Sequence, residues 1–312
     1  MKGVLLLNLG APATSSDVQP YLYNLFADKD IVRLPLILQP FQPTIAQAIS
    51  KNRALSSQKN YDEIGGSPLL EITKEQATCV QKLLGEDYDV KVGMRYWDPF
   101  IADSVQAFAQ SGIEEVIAVP LYPHVSSSTT GSSINEFDRV CSMQGIQGTA
   151  LSEGFFDEGW YWKPIAEELC SKLKKKPDAH VLFTAHSVPV SYIQGGDPYV
   201  EHVERTVELI SSYMDDLGFT QDRTLAYQSR VGPVEWVGPY VDKVIPTLRD
   251  KDVIVVPLSF VAENIETLYE LDVEYRDDAN KEGVKSWSRV SCLDTDSTFL
   301  LGLANSILCA SS

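Results

Sequence analysis

The sequence predicts an α/β protein built from two similar doubly wound domains, each with a parallel sheet flanked by helices. Three observations predict it. Short runs rich in Leu and β-branched residues alternate with longer helical patterns, as strands buried on both faces do when helices connect them. Two of these runs have twins: VLLLNLGAP (4–12) pairs with VLFTAHSVP (181–189), and EVIAVPL (115–121) with DVIVVPL (252–258). A chain of 312 residues also has room for two domains of ordinary size. The boundary falls where GTALSEGFFDEGW passes from a strand into a helix, giving an N-terminal domain over 1–155 and a C-terminal domain over 156–312.

The first strand is VLLLNL (4–9). MKGVLLLNLGAPA imitates a secretory signal, but only Val4 to Leu7 is uninterrupted, short of an h-region of roughly 7 to 15 apolar residues. The segment FADKDIVRLPLILQPFQPTIAQAI (26–49) follows, rich in Leu, Ile and Pro. It reads either as an ordinary connection or as a proline-stiffened apolar lip over a cleft, which would suit a large apolar ligand. The most membrane association expected is peripheral contact through residues around Leu34 to Phe41, since nothing approaches a spanning segment. Further strands are read at VKVGMRY (90–96), VIAVPLY (116–122), VLFTAH (181–186), TLAYQS (224–229) and VIVVPLSF (253–260). No G-x-G-x-x-G or Walker pattern follows any of them, and IGGSP (64–68) and QGGDPY (194–199) lack phosphate-loop spacing, so no nucleotide cofactor is expected.

Composition narrows the function. Hydrophobic residues at 44% and charged residues at 22% indicate a soluble globular chain. A formal net charge of −17 argues against nucleic acid and suits a protein that handles cations. The five cysteines, Cys79, Cys141, Cys170, Cys292 and Cys309, are scattered and never in C-x-x-C spacing. They suggest a reduced cytoplasmic interior with cysteines buried as small hydrophobes.

Ligands of open parallel sheets bind beyond the carboxyl ends of the strands. The residues there are Leu9-Gly10 and Pro123 to Ser133 in the first half, and His186-Ser187 with the acidic segment ENIETLYELDVEY (263–275) in the second. That segment holds Glu263, Glu266, Glu270, Asp272 and Glu274 within thirteen residues and no Lys or Arg. On a helix Glu266, Glu270 and Glu274 share one face, where like charges repel by a few tenths of a kcal/mol per pair. Interleaved Ile265, Leu268, Tyr269 and Leu271 argue against a plain solvated face. Facing a cleft, the row could carry a divalent cation, accept protons or hold water. A His with a carboxylate suits a first-row divalent metal such as Fe²⁺, and so incomplete a ligand set suits a metal in transit.

Longer motifs extend this reading. FTAHSVP (183–189), GGDPY (195–199), YQSRVGPVEWVGP (227–239) and VPLSFVAENIETLYELDVEY (256–275) resemble ferrochelatases. LNLGAP (7–12), IGGSP (64–68), MRYWDP (94–99) and LYPHVSSSTTGSS (121–133) resemble them as well, so the likeness covers nearly the whole chain. The resemblance implies a two-domain chelatase fold that holds a porphyrin in its cleft. It implies insertion of Fe²⁺ into protoporphyrin IX to form protohaem, the terminal step of haem biosynthesis, with iron as substrate and no tightly bound cofactor. His186 matches the family's active-site histidine and Glu266 its facing carboxylate; Glu270 and Glu274 match an acidic path along a helix with a π-type turn. Proton abstraction falls to His186, and metal ligation or proton removal to Glu266, with the two roles exchangeable; the metal set is then His186, Glu266, Glu270 and Glu274.

Substrate-binding positions also carry over from the family. Arg53, Tyr61 and Ser67 match positions near the porphyrin propionates, where a cation and hydroxyl donors suit carboxylates. Arg95, Tyr96, Tyr122 and Trp236 match pocket-lining positions, and Gln228 and Ser229 would set the second strand end. Relatives acting on coproporphyrin carry Tyr at the position of Leu9, whereas protoporphyrin-using relatives carry Met or Leu, so Leu9 favours protoporphyrin IX.

The chain departs from the family in three places. Asn264 stands where many relatives have His. Ser127 and the lone tail cysteine Cys309 replace the four cysteines of cluster-binding relatives, so no iron–sulfur cluster is expected. The tail LLGLANSILCASS lacks the extension those relatives use for dimerisation, so a monomer is expected. Competing readings are a chelatase for coproporphyrin with iron or a corrinoid precursor with cobalt, and a non-catalytic haem or porphyrin carrier on the same scaffold.

Overall fold

The computed structural model describes residues 1–311. Strands β1 (Lys2–Asn8), β2 (Tyr88–Met94), β3 (Glu115–Pro120) and β4 (Gln147–Ala150) form one sheet in the order β2-β1-β3-β4. Strands β5 (His180–His186), β6 (Arg223–Gln228), β7 (Asp252–Pro257) and β8 (Ser286–Arg289) form a second in the order β6-β5-β7-β8. Every pairing is parallel. The two orders are the same, so the repeat seen in short twins extends to whole sheets.

The physical cause is local. Val4, Leu5, Leu6 and Leu7 are all fully buried, because a central parallel strand covered by helices has two apolar faces. Leu5 and Leu7 pack with Val105, Phe108 and Phe137 in one core. Leu182, Val253 and Val255 pack with Leu271, Tyr275 and Ala279 in the other, where each large aliphatic side chain contributes roughly 1.5–3 kcal/mol. β8 was not anticipated: SWSR has no apolar run, and all four residues are half-buried at a sheet edge.

The chain divides into two compact units, 1–122 with 126–154 and the segment from Leu303, and 123–125 with 155–302. This differs from the expected halves at two places. The C-terminal segment joins the first unit, where Lys2 Nζ donates to Ser311 O at 2.9 Å. Residues 123–125 join the second, where His124 Nε2 lies 3.0 Å from Thr206 Oγ1 and Val125 N–H donates to His202 Nδ1 at 3.2 Å.

His124 carries a pH dependence. It is buried between Tyr161 and Tyr199 with Nδ1 unpartnered, and burial, with a smaller contribution from His202, lowers its pKa to about 3. Below its ordinary value of 6.5 the unfolded chain takes a proton that the native state refuses. The stability held above that pH is therefore lost as pH falls toward the folded value. Between pH 7 and 5, urea unfolding of His124→Gln is expected to show a stability loss smaller than wild type by about 2 kcal/mol. Equal losses would remove His124 as the cause.

Beyond the carboxyl ends of β3 and β7 the twins share one more feature, a π-helical segment, at Ser127–Gly131 in the first unit and Glu266–Glu274 in the second. Such wide turns are uncommon and concentrate at functional sites. The first is lined by hydroxyls and the second by carboxylates.

The proline-rich segment is clamped at its base and open at its tip. Gln42 Nε2 donates to Asp28 O and Val32 O, both at 3.1 Å. Asp28 Oδ2 accepts from Arg95 Nη2 at 2.8 Å and from the Tyr96 hydroxyl at 2.7 Å. On the short 3₁₀ helix Leu36–Phe41, Leu36 and Ile37 are 82% and 81% exposed. Among the described residues no helix is long and apolar enough to cross a membrane.

Candidate active site

β5 ends on His186, whose ring is half-buried. Nδ1 lies 2.6 Å from Ser187 O. A carbonyl only accepts, so this contact places the proton on Nδ1 and leaves the Nε2 lone pair available. Burial pulls the imidazole below its ordinary value, and the Glu270 carboxylate and the Ser187 contact oppose that shift.

The five carboxylates of the acidic segment are not equivalent. Arg289, on β8, donates to Glu263 Oε1 at 2.8 Å and to Asp272 Oδ2 at 2.7 Å, so these two have a cation that the local sequence does not supply. Glu266, Glu270 and Glu274 lie in no ion pair among the described residues. Leu271 anchors the segment in the core, and its carbonyl accepts the Trp287 indole N–H at 2.9 Å. The row runs outward, with Glu266 and Glu270 half-buried and Glu274 exposed.

Glu270 is paired, but with neutral groups. Gln228 Nε2 donates to Oε2 at 2.9 Å, Ser229 N–H to Oε1 at 2.9 Å, the Ser229 hydroxyl to Oε2, and the Tyr275 hydroxyl to Oε1 at 3.1 Å. Ser229 takes a φ of 66°, a left-handed conformation uncommon for a non-glycine residue, and this aims its N–H at the carboxylate. Gln228 and Ser229, expected to touch substrate, are thus committed to Glu270. Glu266 has no such shell. Burial, helped by the Glu270 charge, raises its pKa to about 7. Glu274, though exposed at the end of the row, keeps part of its carboxyl out of water, and that, followed by the Glu270 and Asp278 charges, raises its pKa.

The expected metal set does not close into a cage. Among the described residues no three His, Cys, Asp or Glu side chains gather as a metal cluster. The carboxylates stand four residues apart along one wide helix, which spreads them into a row. Trp236 lies half-buried in the loop after β6 and donates its indole N–H to Val231 O at 2.9 Å.

In the first unit Leu9 follows β1, half-buried, its N–H on Asn8 Oδ1 at 2.9 Å and its carbonyl accepting Tyr96 N–H at 2.9 Å. Gly10 turns the chain with φ 87°, and an added Cβ would sit 3.0 Å from Met94 Cβ. Arg53 is half-buried on the helix Gln42–Glu63, over the Phe26 ring at 5.8 Å. It has no ion pair among the described residues, and burial lowers its pKa. Tyr61 is buried on the same helix, and Ser67 Oγ accepts Leu69 N–H at 3.4 Å at the start of the next.

Three expected pocket residues bond to groups within their own unit. Tyr96 is fully buried, its hydroxyl on Asp28 and Ser132, and Arg95 donates to the same two residues. Burial favours the neutral acid of Asp28, but the hydrogen bonds from Ser132, Tyr96 and Asp30 N–H, with the Arg95 charge, outweigh it and lower its pKa. A buried carboxylate of this kind demands such partners, so Arg95 and Tyr96 serve the clamp. Tyr122 is likewise buried, with its hydroxyl 3.0 Å from Ser133 Oγ.

A family profile described as Ferrochelatase matches residues 1–310. The chain belongs to the ferrochelatase family. It is 44% identical to the ferrochelatase of Aquifex aeolicus, over 97% of both chains. It is 45% identical to the chloroplastic ferrochelatase-2 of Arabidopsis thaliana over 98% of this chain, which spans 62% of that relative's length. Among solved structures, the chelatase SirB of Bacillus subtilis, determined with Fe³⁺, shares the fold with a TM-score of 0.51 at 12% identity, covering 99% of this chain and 95% of that one.

Within this ferrochelatase frame the departures have structural explanations. Asn264 is buried and caps the π segment: its Oδ1 accepts Thr267 N–H at 3.1 Å, and its Nδ2 donates to Ala262 O at 3.1 Å. An Asn is well suited to that task. Ser127 accepts the Arg33 guanidinium at 2.6 Å. Ser259 and Tyr199, beside His186, lie inside quoted motifs without a role assigned from sequence. No spacing pattern points to Arg289.

Proposed function

We propose that the chain inserts Fe²⁺ into protoporphyrin IX, using iron as substrate and no resident cofactor. The observation that carries this is His186, an imidazole with its Nδ1 proton tied to Ser187 O, at a strand end whose neighbouring carboxylates lack a cation. Metallation must strip two N–H protons from the pyrroles and expose their lone pairs to iron. A neutral imidazole suits the first proton. Glu266 takes the second or ligates the metal, and Glu270 to Glu274 leads outward. Arg53, half-buried without a counter-charge, suits a propionate, with Tyr61 and Ser67 beside it in the sequence of the same unit. The five free thiols support a reducing, cytoplasmic setting.

Leu9 supports protoporphyrin over the more carboxylated rings. The test is anaerobic Fe²⁺ insertion by the purified protein, followed by loss of porphyrin fluorescence with protoporphyrin IX and coproporphyrin III side by side. Protoporphyrin is expected to react faster, and Leu9→Tyr to erode the preference about tenfold in kcat/KM. Preference for coproporphyrin would keep the chelatase and remove the Leu9 inference. Binding of either ring without metallation would make the chain a carrier.

A further inference from the structure

The parallel ladder at the end of β5 stops one step early. Leu258 N–H donates to Thr184 O at 2.8 Å, and continuing the register Thr184↔Pro257 would send His186 N–H to Leu258 O. That carbonyl accepts the Tyr161 hydroxyl at 2.5 Å, while His186 N–H donates to Ser259 Oγ at 3.0 Å. Ser259 Oγ in turn lies 2.7 Å from the Tyr199 hydroxyl. The residue that carries the imidazole is therefore held on this side by a relay of side chains where the sheet would otherwise hold it.

Tyr199 is built to be immobile. It opens the helix Tyr199–Asp216, its ring meets His124 edge-on with centroids 5.9 Å apart, and its N–H donates to Asp197 Oδ1 at 3.1 Å. This accounts for the motif GGDPY, which no role had absorbed. Gly196 takes the left-handed φ of 89°, Asp197 accepts the first helical N–H, and Pro198 leads into the helix. Nothing in that packing requires a hydroxyl, because phenylalanine would fill the same space. The hydroxyl's use is its bond to Ser259.

We infer that Tyr199 is a positioning residue for His186, acting through Ser259 to fix where the imidazole sits at the strand end. The inference rests on the reading of His186 as proton acceptor. The test uses the full chain as Tyr199→Phe, Ser259→Ala and the double variant, with insertion kinetics and amide hydrogen exchange by NMR. Tyr199→Phe is expected to lower kcat about tenfold, as loss of an outer partner commonly does, with the porphyrin KM unchanged. The His186 amide should exchange faster while that of Leu182 keeps its protection. On the Ser259→Ala background Tyr199→Phe should cost nothing further.

Wild-type kcat and wild-type His186 exchange in Tyr199→Phe would overturn the inference. So would a loss fully additive with Ser259→Ala, or loss of protection along all of β5, which marks a merely structural role. If the wild type inserts no iron, the proposed function fails, and His186 exchange alone decides the positioning.

Discussion

His186→Ala is expected to slow iron insertion by about 10²- to 10⁴-fold, the range for loss of a general base, while porphyrin binding remains measurable by fluorescence quenching. With its Nδ1 proton on Ser187 O, the imidazole offers Nε2 as acceptor, and alanine removes that acceptor while leaving β5 and its ladder intact. Burial holds the ring below its ordinary pKa, so it is neutral and able to accept at pH 7. Wild-type rates in the variant would end the mechanism; loss of binding together with insertion would recast His186 as a wall of the pocket.

Glu266→Gln is expected to lose at least about a hundredfold in kcat and, at the same time, to gain stability. Burial first, and the Glu270 charge second, raise the carboxyl to about 7. Below that pH it is neutral and can neither take a proton nor ligate iron, so wild-type insertion should rise as pH increases through about 7. The glutamine variant should lack that limb. The linkage runs the other way for folding. The native state keeps a proton that the unfolded chain releases near 4.5, so the site's contribution to stability is full below that pH and is lost as pH rises through the folded value. At pH 8 the variant should therefore resist urea better than wild type, by about 3 kcal/mol. A variant both inactive and destabilised would indicate misfolding instead.

The fold was legible because each central strand is an unbroken apolar run. Val4 to Leu7 and Val253 to Val256 identify themselves, and their twins disclosed the repeat. The edge strand Ser286–Arg289 did not, since a half-buried edge needs no apolar period. Placement in the candidate site was legible where local sequence alone sets it, as with His186 closing a strand and Glu266, Glu270 and Glu274 at helical spacing. It was illegible where the chemistry depends on partners distant in sequence. Glu263 and Asp272 read as part of the same unpaired row until Arg289 is placed beside them. Arg95 and Tyr96 read as pocket residues until Asp28, 67 and 68 positions away, takes their donors.

The shell around Glu270 sets the net charge of the resting site. Four neutral donors hold this carboxylate, and fixed dipoles, unlike a lysine or arginine, solvate the charge without cancelling it. In the proposed metallation a porphyrin gives up two protons, and a carboxylate solvated by dipoles keeps the negative charge that attracts them, where one paired with a lysine or arginine would not.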